Sequence, residues 1–454
     1  MDNKENYPDQ HECTIAIIGL GYVGLPLAIE FSKKQKCYLS GNLLKRKVIG
    51  FDINPERLKN LKNGIDITNE IGEEELLNAD FTDLTDKVET IAKADVFIIT
   101  VPTPIDDDKK PDLRPLKKAS ITVAKALKIR SNLPNKSIPI IIYESTVYPG
   151  TTQEVCIPII EKESGLFCDI SKKEAFACGY SPERINPGDK EHRLKDIIKI
   201  TSGSDKEAAK WIDLFYGSII KAGTHLTKDI KTAEAAKIIE NTQRDINIAL
   251  MNELAIIFKL LNIDTLDTLK AASTKWNFIN FQPGLVGGHC IGVDPYYLTY
   301  KAQSIGYSPE MVLAGRKIND DMSRWLAEQV VLEITKRNIP FYSEVLVLGF
   351  SFKENCPDIR NTKVYDFIKI LQEYNLNIMI VDPWINPKEA RNAYGLDITQ
   401  NIPKNKKFNA IVCTVAHKEF VEISKSDWEE ILEHKSFIFD LKGIVPRELC
   451  PIRI

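Results

Sequence analysis

One of the nine cysteines has surroundings that suit chemistry. Cys290 lies in PGLVGGHCIGVDPYYL, behind two glycines and ahead of a third, and Asp294 follows four residues later. A cysteine is usually a small buried apolar residue, but glycines on both sides let backbone and ligand atoms approach the sulfur closely. We therefore predict a catalytic role for Cys290. His289 beside it has no third metal ligand nearby, so we predict no metal site.

A glycine pattern near the start of the chain indicates dinucleotide binding. Residues 19–24, GLGYVG, match GxGxxG directly after an apolar run, where glycines allow a tight turn and close approach of a pyrophosphate to a helix N-terminus. The next strand ends in Asp52, which can accept hydrogen bonds from ribose hydroxyls and repel a 2′-phosphate, so NAD is favoured over NADP. An ordinary glycine turn is the alternative. The predicted cofactor contacts here are Gly19, Gly21, Tyr22, Val23, Gly24 and Asp52.

Alternating strands and helices must carry these residues. Strand-like apolar runs occur in two groups, at 14–19, 47–52, 96–104 and 138–146, and at 344–352, 377–383, 409–417 and 436–443. Apolar strands separated by helical patterns are typical of parallel sheets covered on both faces. Residues 33–46 look like a loop inserted before the second strand. Between the two groups, 229–264 contains neither Gly nor Pro, so we predict a helix of roughly 50 Å that Asp229 can cap.

The predicted fold class is α/β, with two Rossmann-like doubly wound domains joined by a helical central domain that contains one long helix. The predicted boundaries are 1–215 for the first α/β domain, 216–325 for the central domain and 326–454 for the second α/β domain. A helix as long as the central one usually joins domains or carries an oligomer interface. We therefore expect a homodimer or a higher homo-oligomer.

Composition and charge argue against several classes of protein. The 454 residues are 43% hydrophobic and 27% charged, which is normal for a soluble globular protein of two or three domains. A net charge of −3 and the lack of a basic run argue against a nucleic-acid partner. No apolar stretch reaches the length of a membrane span, and the polar N-terminal residues do not resemble a secretory signal, so we expect no membrane partner and a cytoplasmic protein. Scattered cysteines without a Cys-x-x-Cys pair argue against a disulfide scaffold or a structural zinc site.

Several motifs in a fixed order resemble those of the UDP-glucose/GDP-mannose dehydrogenase family. In chain order they are GLGYVGLPLA, VPTP, STVYPGTT, YSPERINPGD, a helix with Lys237 and Asn241, GGHCIGVDPYYL and GFSFKENCPDIRNT. The strings YSPERINPGDKEHR and TKWNFINFQPGLVGGHC are most similar to the branch that oxidises UDP-N-acetylhexosamines to uronic acids for bacterial surface polysaccharides. The resemblance covers all three predicted domains and implies that the first binds NAD and the last binds the UDP-sugar.

The resemblance implies a four-electron oxidation that uses NAD. The C6 alcohol of a UDP-sugar would lose two hydrides in succession, while the sugar is held on Cys290 as a thiohemiacetal and then as a thioester. A sulfur adduct retains the aldehyde, and water readily cleaves a thioester to the carboxylate. UDP-N-acetylglucosamine is the favoured substrate, and UDP-N-acetylmannosamine, UDP-N-acetylgalactosamine and UDP-glucose stay open. Glucose is disfavoured by one departure. UDP-glucose dehydrogenases typically carry, upstream of the cysteine loop, an Arg that reaches into the neighbouring subunit's site, and this chain has Lys275, Trp276 and Asn277.

The resemblance also assigns roles to polar residues. Lys237 and Asn241 lie four apart on the long helix and share a face, where they would stabilise an oxyanion and orient a water, although alone they would be taken for solvated surface residues. Asp294 would accept a proton or position that water. Glu183 would act through a water or, alternatively, form an ion pair with Arg184 or another base. The implied catalytic residues are Cys290, Lys237, Asn241, Asp294, Thr146 and Glu183.

Further binding residues are implied by the same motifs. The additional implied cofactor contacts are Arg57, Pro102, Thr103 and Thr146, and the implied substrate contacts are Glu183, Arg184, Lys237, Asn241, Gly284, Lys353 and Arg360. Lys353 matches a UDP-contacting lysine, since lysine is a suitable point charge for a diphosphate; a surface lysine at a strand end is the alternative. Gly284 would let backbone meet the sugar or the uridine.

Two other interpretations compete with this one. A two-electron hydroxyacid dehydrogenase would need neither a nucleophilic cysteine nor a second α/β domain, so the sequence disfavours it. A non-catalytic NAD-binding module would not need the set of Lys237, Asn241, Cys290 and Asp294, which is intact here.

Overall fold

The computed structural model describes residues 7–68, 70–106, 108–134, 137–185, 193–288 and 290–454. The chain forms two compact units, one made of Met1–Ile239 and Tyr296–Ile305, the other of Glu240–Pro295 and Gly306–Ile454. Each unit is built on a six-stranded sheet. His289, for which we predicted no metal role, and the later part of the SPERINPGD motif lie outside the described residues.

All strands of the first six-stranded sheet are parallel. They are β1 (Thr14–Ile18), β2 (Lys47–Phe51), β3 (Phe81–Thr85), β4 (Val96–Ile99), β5 (Ile140–Tyr143) and β6 (Ala177–Tyr180). Their order is β3-β2-β1-β4-β5-β6, so the winding of the sheet reverses between β1 and β4. Ligands of open α/β sheets bind at the carboxyl ends of the strands at such a point. A separate parallel pair is formed by β7 (Lys199–Thr201) and β8 (Thr224–Leu226).

Helices connect the strands of this unit. They are α1 (Gly24–Ser32), α2 (Pro55–Lys62), α3 (Glu73–Leu77), α4 (Val88–Ile91), α5 (Arg114–Arg130), α6 (Ile157–Ser164) and α7 (Lys206–Gly217). A π-helical turn, Thr152–Cys156, runs directly into α6, and a 3-10 turn spans Leu194–Asp196. Strand residues such as Ile15 share one apolar core with Phe31 of α1 and Phe215 of α7, and these two rings stack at 4.8 Å. This packing fixes α1, and with it the glycine turn, against the sheet.

The second unit repeats the sheet order of the first. Its strands are β9 (Glu344–Leu348), β10 (Asn377–Val381), β11 (Ile398–Thr399), β12 (Phe408–Cys413), β13 (Leu432–Asp440) and β14 (Ile452–Arg453). They are parallel in the order β11-β10-β9-β12-β13-β14.

The remaining helices of the chain are α8 (Ile230–Leu261), α9 (Thr265–Ala272), α10 (Asp294–Ser304), α11 (Glu310–Lys336), α12 (Lys363–Glu373), α13 (Pro387–Tyr394), α14 (Lys418–Val421) and α15 (Lys425–Ile431), with a 3-10 turn at Arg447–Leu449. Of these, α8 begins in the first unit and continues into the second, and most of α10 belongs to the first.

The predicted long helix is α8, which has 32 residues and is therefore about 48 Å long. Asp229 caps it as predicted, because its Oδ1 accepts a hydrogen bond from the N–H of Thr232 at 2.8 Å. The helix ends before Asn262, whose φ of +58° cannot continue it. The predicted boundary at 325/326 lies within α11, which continues to Lys336.

The predicted fold class and all eight predicted strands are confirmed, as is the loop at 33–46, which contains one isolated bridge between Lys36 and Leu43. The outer strands β3, β6, β11 and β14 were missed. The sequence of β3 is FTDLT and that of β6 is ACGY, and β11 and β14 have two residues each. Short or mixed sequences of this kind lack the apolar run by which the other strands were recognised.

Candidate functional site

The glycine turn after β1 is shaped for close approach by a ligand. Gly19 has a φ of +98°, which side chains other than glycine rarely adopt. A Cβ at Gly24 would lie 1.9 Å from the carbonyl oxygen of Gly19, so only glycine lets α1 start this close to the strand. A Cβ at Gly21 would meet nothing within 4 Å, so its backbone faces open space. The half-buried Tyr22 and Val23 lead into the N-terminus of α1, whose N–H groups suit a diphosphate.

Asp52 follows β2 at the same edge of the sheet. Its carboxylate accepts hydrogen bonds from the N–H of Leu20 and from that of Asn54, each at 2.9 Å. These bonds fix the carboxylate beside the glycine turn. Because the residue is only half-buried and a carboxylate has further lone pairs, it can also accept hydrogen bonds from a ribose.

Arg57 is buried against the glycine turn. Its Nε donates to the carbonyl oxygen of Leu20 at 2.8 Å, and its Nη1 lies 2.7 Å from Asp66, which the sequence analysis had not singled out. Burial opposes ionisation of Asp66, but hydrogen bonds from Thr68 and Arg57 outweigh it and lower the pKa of its carboxyl group. Nη2 of Arg57 is buried without a hydrogen-bond partner among the described residues. A bound ligand that supplied an acceptor would remove the cost of this unpaired donor.

The loops that follow β4 and β5 are bound to each other. Thr103 donates from Oγ1 to the carbonyl oxygen of Thr146 at 2.7 Å, and Ser145 donates from Oγ to that of Val101 at 2.6 Å. Pro102 is exposed between them. Together with the glycine turn and Asp52, these loops follow the adjacent strands β2, β1, β4 and β5, an arrangement that fits a bound dinucleotide.

A buried ion pair that the sequence analysis missed joins the segments after β5 and β6. Nζ of Lys199 lies 2.7 Å from Oε2 of Glu144 and donates to the carbonyl oxygen of Pro182 at 3.0 Å. Glu144 lies two residues before Thr146, and Pro182 directly precedes Glu183. Burial is the largest influence on Glu144 and raises the pKa of its carboxyl group, against the attraction of Lys199. One ammonium group therefore connects the segments that carry two predicted catalytic residues.

The carboxyl group of Glu183 is buried and only partly satisfied. Its Oε1 accepts a hydrogen bond from the N–H of Ile185, and its Oε2 has no hydrogen-bond partner in the described part of the chain. Arg184 donates to the carbonyl oxygen of Ile198 at 2.7 Å. The contacts described for Glu183 and Arg184 are therefore different from the ion pair between them that was the alternative prediction. A buried carboxylate oxygen without a donor suits a bound water or a substrate hydroxyl. Residues 186–192 of this motif lie outside the described residues.

Lys237 is 6% exposed on α8, one turn after the fully buried Glu234. Glu234 accepts hydrogen bonds from the N–H groups of Gly150 and Thr152, at 2.5 and 2.9 Å. The start of α8 is thereby bound to the STVYPGTT segment, which contains Thr146. Burial raises the pKa of Glu234 to about 7, although the hydrogen bonds from the two N–H groups act in the opposite direction.

Cys290 lies one turn before α10 and is only partly buried. Its carbonyl oxygen accepts hydrogen bonds from the N–H groups of Val293 at 3.1 Å and Asp294 at 2.8 Å. Asp294, the first residue of α10, is 2% exposed, and its Oδ2 accepts a hydrogen bond from Nδ2 of Asn241 at 2.6 Å. The structure thus joins the side chains of Asp294 and Asn241 directly, and it joins Cys290 to Asp294 through the backbone.

Gly284 is held by a buried amide that the sequence analysis missed. Its N–H donates to Oδ1 of Asn252 at 2.8 Å, and its carbonyl oxygen accepts from Nδ2 of Asn252 at 3.0 Å. A Cβ at Gly284 would lie 3.0 Å from Nζ of Lys442, which follows β13, and burial lowers the pKa of that ammonium group. Lys442 was also missed. The available signals were an amide in an apolar part of α8 and a lysine two residues after a buried strand.

Lys353 and Arg360, the two predicted anion contacts of this motif, differ in their surroundings. Lys353 is half-buried in the segment after β9, and its carbonyl oxygen accepts a hydrogen bond from Oγ of Ser351 at 2.8 Å. Arg360 forms a bidentate ion pair with Asp358 at 2.8 and 2.5 Å. Lys353 therefore fits an anion contact better than Arg360, whose guanidinium group already has a carboxylate partner.

The described residues contain neither a cluster suited to a metal ion nor a helix suited to span a membrane. Within 7–454, apart from residues 69, 107, 135–136, 186–192 and 289, no group of three or more His, Cys, Asp or Glu side chains could hold a metal ion. In the same part of the chain, no helix is both long and apolar enough to span a membrane.

Three models of one family match successive parts of the chain. They describe the NAD binding domain, the central domain and the UDP binding domain of the UDP-glucose/GDP-mannose dehydrogenase family, and they match residues 13–220, 231–321 and 346–447. Together they span most of the chain.

Individual relatives match over nearly their whole length. A UDP-N-acetyl-D-glucosamine 6-dehydrogenase of Salmonella typhi is 50% identical over 444 residues, which cover 98% of this chain and 99% of that protein. Protein CapL of Staphylococcus aureus is 51% identical over 432 residues, with coverage of 95% and 96%. The solved structure of a UDP-D-ManNAc dehydrogenase from Pyrococcus horikoshii has a TM-score of 0.80 at 29% identity and covers 95% of this chain and 96% of that one.

Proposed function

The chain belongs to the UDP-glucose/GDP-mannose dehydrogenase family, and from this membership we propose that it oxidises the C6 alcohol of UDP-N-acetylglucosamine to the carboxylate with NAD. The observation that carries the proposal is the group formed by Cys290, Asp294 and Asn241 in the second unit. A partly buried cysteine one helical turn before an oriented carboxylate would supply the nucleophile and the base that a two-stage oxidation needs.

The chain's own residues would supply the covalent and acid–base chemistry. The thiolate of Cys290 adds to the C6 aldehyde and holds it as a thiohemiacetal, which becomes a thioester after the second oxidation. Asp294, held by the amide of Asn241, takes a proton from the water that cleaves the thioester. For Lys237 we keep the role of oxyanion stabilisation, which is supported by its match to the family motif.

The fit of the first unit to NAD supports the cofactor assignment. The open backbone at Gly21 and the N-terminus of α1 would hold the diphosphate, and Asp52 would hold a ribose. When bound at these residues, NAD would supply the hydride acceptor for the two oxidations. In this proposal Arg57 supports the glycine turn, and its unpaired Nη2 is available to the cofactor. Thr146 and Glu183 would orient the substrate through the loops that carry them.

The choice of sugar is supported by the degree of similarity. Relatives named for UDP-N-acetyl-D-glucosamine are 50% identical to this chain, whereas a relative named for UDP-N-acetyl-D-mannosamine, from Methanococcus aeolicus, is 32% identical. Lys275, Trp276 and Asn277 stand where an arginine is typical of enzymes for UDP-glucose. Within 346–447, Lys353 would bind the diphosphate, and Lys442 beside Gly284 would supply a second positive charge.

The proposal extends to the setting of the enzyme. The uronic acid would serve the synthesis of a surface polysaccharide, and the reaction would take place in the cytoplasm. We also propose division into an NAD-binding domain, a central domain and a UDP-sugar-binding domain at 1–215, 216–325 and 326–454. Exposed apolar side chains support a homodimer through the central part: Leu250, Ile257, Leu260, Leu261, Trp276 and Ile279. Light scattering of the purified chain tests this assembly, and a strictly monomeric mass would contradict it.

The function is tested by counting NADH for each molecule of sugar. We expect two NADH per UDP-N-acetylglucosamine and faster turnover of that substrate than of the N-acetylmannosamine, N-acetylgalactosamine or glucose analogues. One NADH per sugar would contradict the covalent scheme and favour a two-electron enzyme. No NADH from any of the four UDP-sugars would favour the non-catalytic module.

A further inference from the structure

A histidine outside all of the family motifs is fully buried at the carboxyl edge of the second sheet. His417, four residues after β12, is 0% exposed. Its Nε2 lies 3.1 Å from both Oδ2 of Asp382 and Oγ of Ser351, and its Nδ1 faces the N–H of Asn355 at 2.9 Å. A backbone N–H can only donate, so Nδ1 accepts and Nε2 carries the ring proton. The imidazole therefore connects three separate points around the loop after β9.

These contacts fix the segment that carries Lys353 on both sides. Before it, Oγ of Ser351 donates to the carbonyl oxygen of Lys353 at 2.8 Å and accepts from His417. After it, the N–H of Asn355 donates to His417, and Oδ1 of Asn355 accepts from the N–H of Lys418 at 2.9 Å. Asn355 has a φ of +54°, so the chain turns at the point that the imidazole holds. One side chain, that of His417, therefore contacts 351–355 at both ends of the segment.

The first sheet shows why an imidazole stands at this place. Asp382 follows β10 and accepts the N–H of Phe350 at 2.7 Å, just as Asp52 follows β2 and accepts the N–H of Leu20 at 2.9 Å. Asp52 is half-buried and open to a ribose hydroxyl. Asp382 is 0% exposed, and its Oδ2 also accepts a hydrogen bond from Nε2–H of His417.

The carboxyl group of Asp382 is held in its charged form by these partners. Burial opposes ionisation, but the hydrogen bonds from Nε2 of His417 and from the N–H groups of Phe350 and Ser351 lower the pKa of Asp382. A charged hydrogen-bond acceptor binds its donor more strongly than a neutral one does. The imidazole is therefore held firmly in one orientation.

We propose that His417 is a positioning residue of the UDP site, which holds 351–355 in the course that presents Lys353 to the diphosphate. Its ring holds the segment through two hydrogen bonds, one from Nε2 to Asp382 and one from the N–H of Asn355 to Nδ1. The inference rests on the proposed function, because Lys353 is taken there as the diphosphate contact.

Two substitutions separate the two contacts of the ring. In His417→Gln, the side-chain amide can still reach Asp382, but the acceptor for Asn355 is lost. In His417→Asn, the amide oxygen lies near the position of Nδ1 and can accept from Asn355, but the donor to Asp382 is lost. His434→Gln makes the same change at an exposed histidine of β13 and is the matched control.

Calorimetry with UDP alone, without turnover, is the primary measurement. We expect His417→Gln to weaken UDP binding about tenfold, the usual effect of losing one positioning hydrogen bond. Its KM for the UDP-sugar should rise by a similar factor, while its KM for NAD stays as in the wild type. His417→Asn, which loses the donor to Asp382 and Ser351, should lower the melting temperature and also weaken UDP binding, and His434→Gln should change neither property.

The outcomes distinguish the inference from the proposed function. If the wild type binds UDP and His417→Gln binds it equally well, the role of His417 is overturned and the proposed function is left intact. Wild-type chain that does not bind UDP would overturn the function itself. If His417→Gln does not fold, Ser351→Ala removes the hydroxyl between His417 and Lys353, and unchanged UDP binding by that variant would equally overturn the inference.

Discussion

Replacing Lys199 by methionine leaves a carboxylate without its partner in the core of the first unit. The side chains of Lys199 and Glu144 are 3% and 0% exposed, and their charged groups lie 2.7 Å apart. The substitution also removes the donor to the carbonyl oxygen of Pro182. Tyr216 still donates to Oε1 of Glu144, but one neutral hydroxyl cannot replace an ammonium group. Removing one member of a buried pair typically costs 3–5 kcal/mol, so we expect Lys199→Met to lower the free energy of unfolding by about 4 kcal/mol.

The expected loss depends on pH in a definite direction. Burial already raises the pKa of Glu144, and loss of the ammonium group raises it further above the ordinary value of 4.5. An acid whose pKa is higher in the folded state favours folding in its protonated form, so the variant is relatively most stable below that value and loses stability as pH rises. The cost of Lys199→Met should therefore be larger at about pH 8 than at about pH 5.

Urea denaturation of wild type and variant at these two pH values measures the effect. The double variant Lys199→Met/Glu144→Gln removes both charges and should regain most of the lost stability. The control is Lys45→Met, which removes an exposed lysine 3.3 Å from Glu12 and should cost at most about 1 kcal/mol. A loss no greater than that of the control, or the same loss at both pH values, would refute the view that an uncompensated charge is left behind.

Three further predictions concern single residues. Cys290→Ser should abolish turnover but leave the calorimetric affinities for NAD and UDP unchanged, whereas Cys450→Ser, at an exposed thiol, should keep full activity; an active Cys290→Ser enzyme would exclude the nucleophile role. Asp52→Asn should weaken NAD binding and relax discrimination against NADP in steady-state kinetics, and an unchanged preference would mean that Asp52 does not contact the ribose. The pKa of Glu234 is about 7 in the folded chain, compared with the ordinary value of 4.5, so protonation of this carboxyl group favours the folded state. The free energy of unfolding of the wild type should therefore fall by up to about 3 kcal/mol as pH rises from 4.5 to 7. Glu234→Gln should not show this fall in urea denaturation, and an equal fall in both proteins would assign it to other groups.

The sequence was sufficient for features that depend on neighbours in the chain. Apolar runs predicted eight strands, and the absence of Gly and Pro with Asp229 in front predicted α8 within a few residues. Gly24 is required by a carbonyl oxygen only five residues earlier in the chain, so the fingerprint already contained that contact. Such signals survive in a single sequence because the partners occur within one turn or one strand of each other.

The missed residues act across long stretches of chain. Lys199 reaches Glu144 across 55 residues, and His417 reaches Asp382 across 35. Each looks ordinary beside its own neighbours: a lysine in an edge strand, a histidine in a loop. Only the sheet order brings their partners to the same edge, and the spacing of residue types does not encode that order. Glu144 could have been suspected, since an acid directly after four buried apolar residues needs a partner.

The two sheets share one loop geometry after their central strands. Gly19 and Gly349 have φ values of +98° and +97°, and Thr100 and Thr414 donate to their carbonyl oxygens at 2.7 and 2.6 Å, so both turns are built in the same way. The turns differ two residues later in the chain. The first turn has open space at Gly21. At the corresponding position the second turn has Ser351, whose hydroxyl forms a hydrogen bond with the imidazole of His417 beside the buried Asp382. In the proposed function, the diphosphate of NAD would lie along the first turn. Lysines at the strand ends of the second sheet would supply to UDP the positive charge that bare N–H groups would supply in the first sheet.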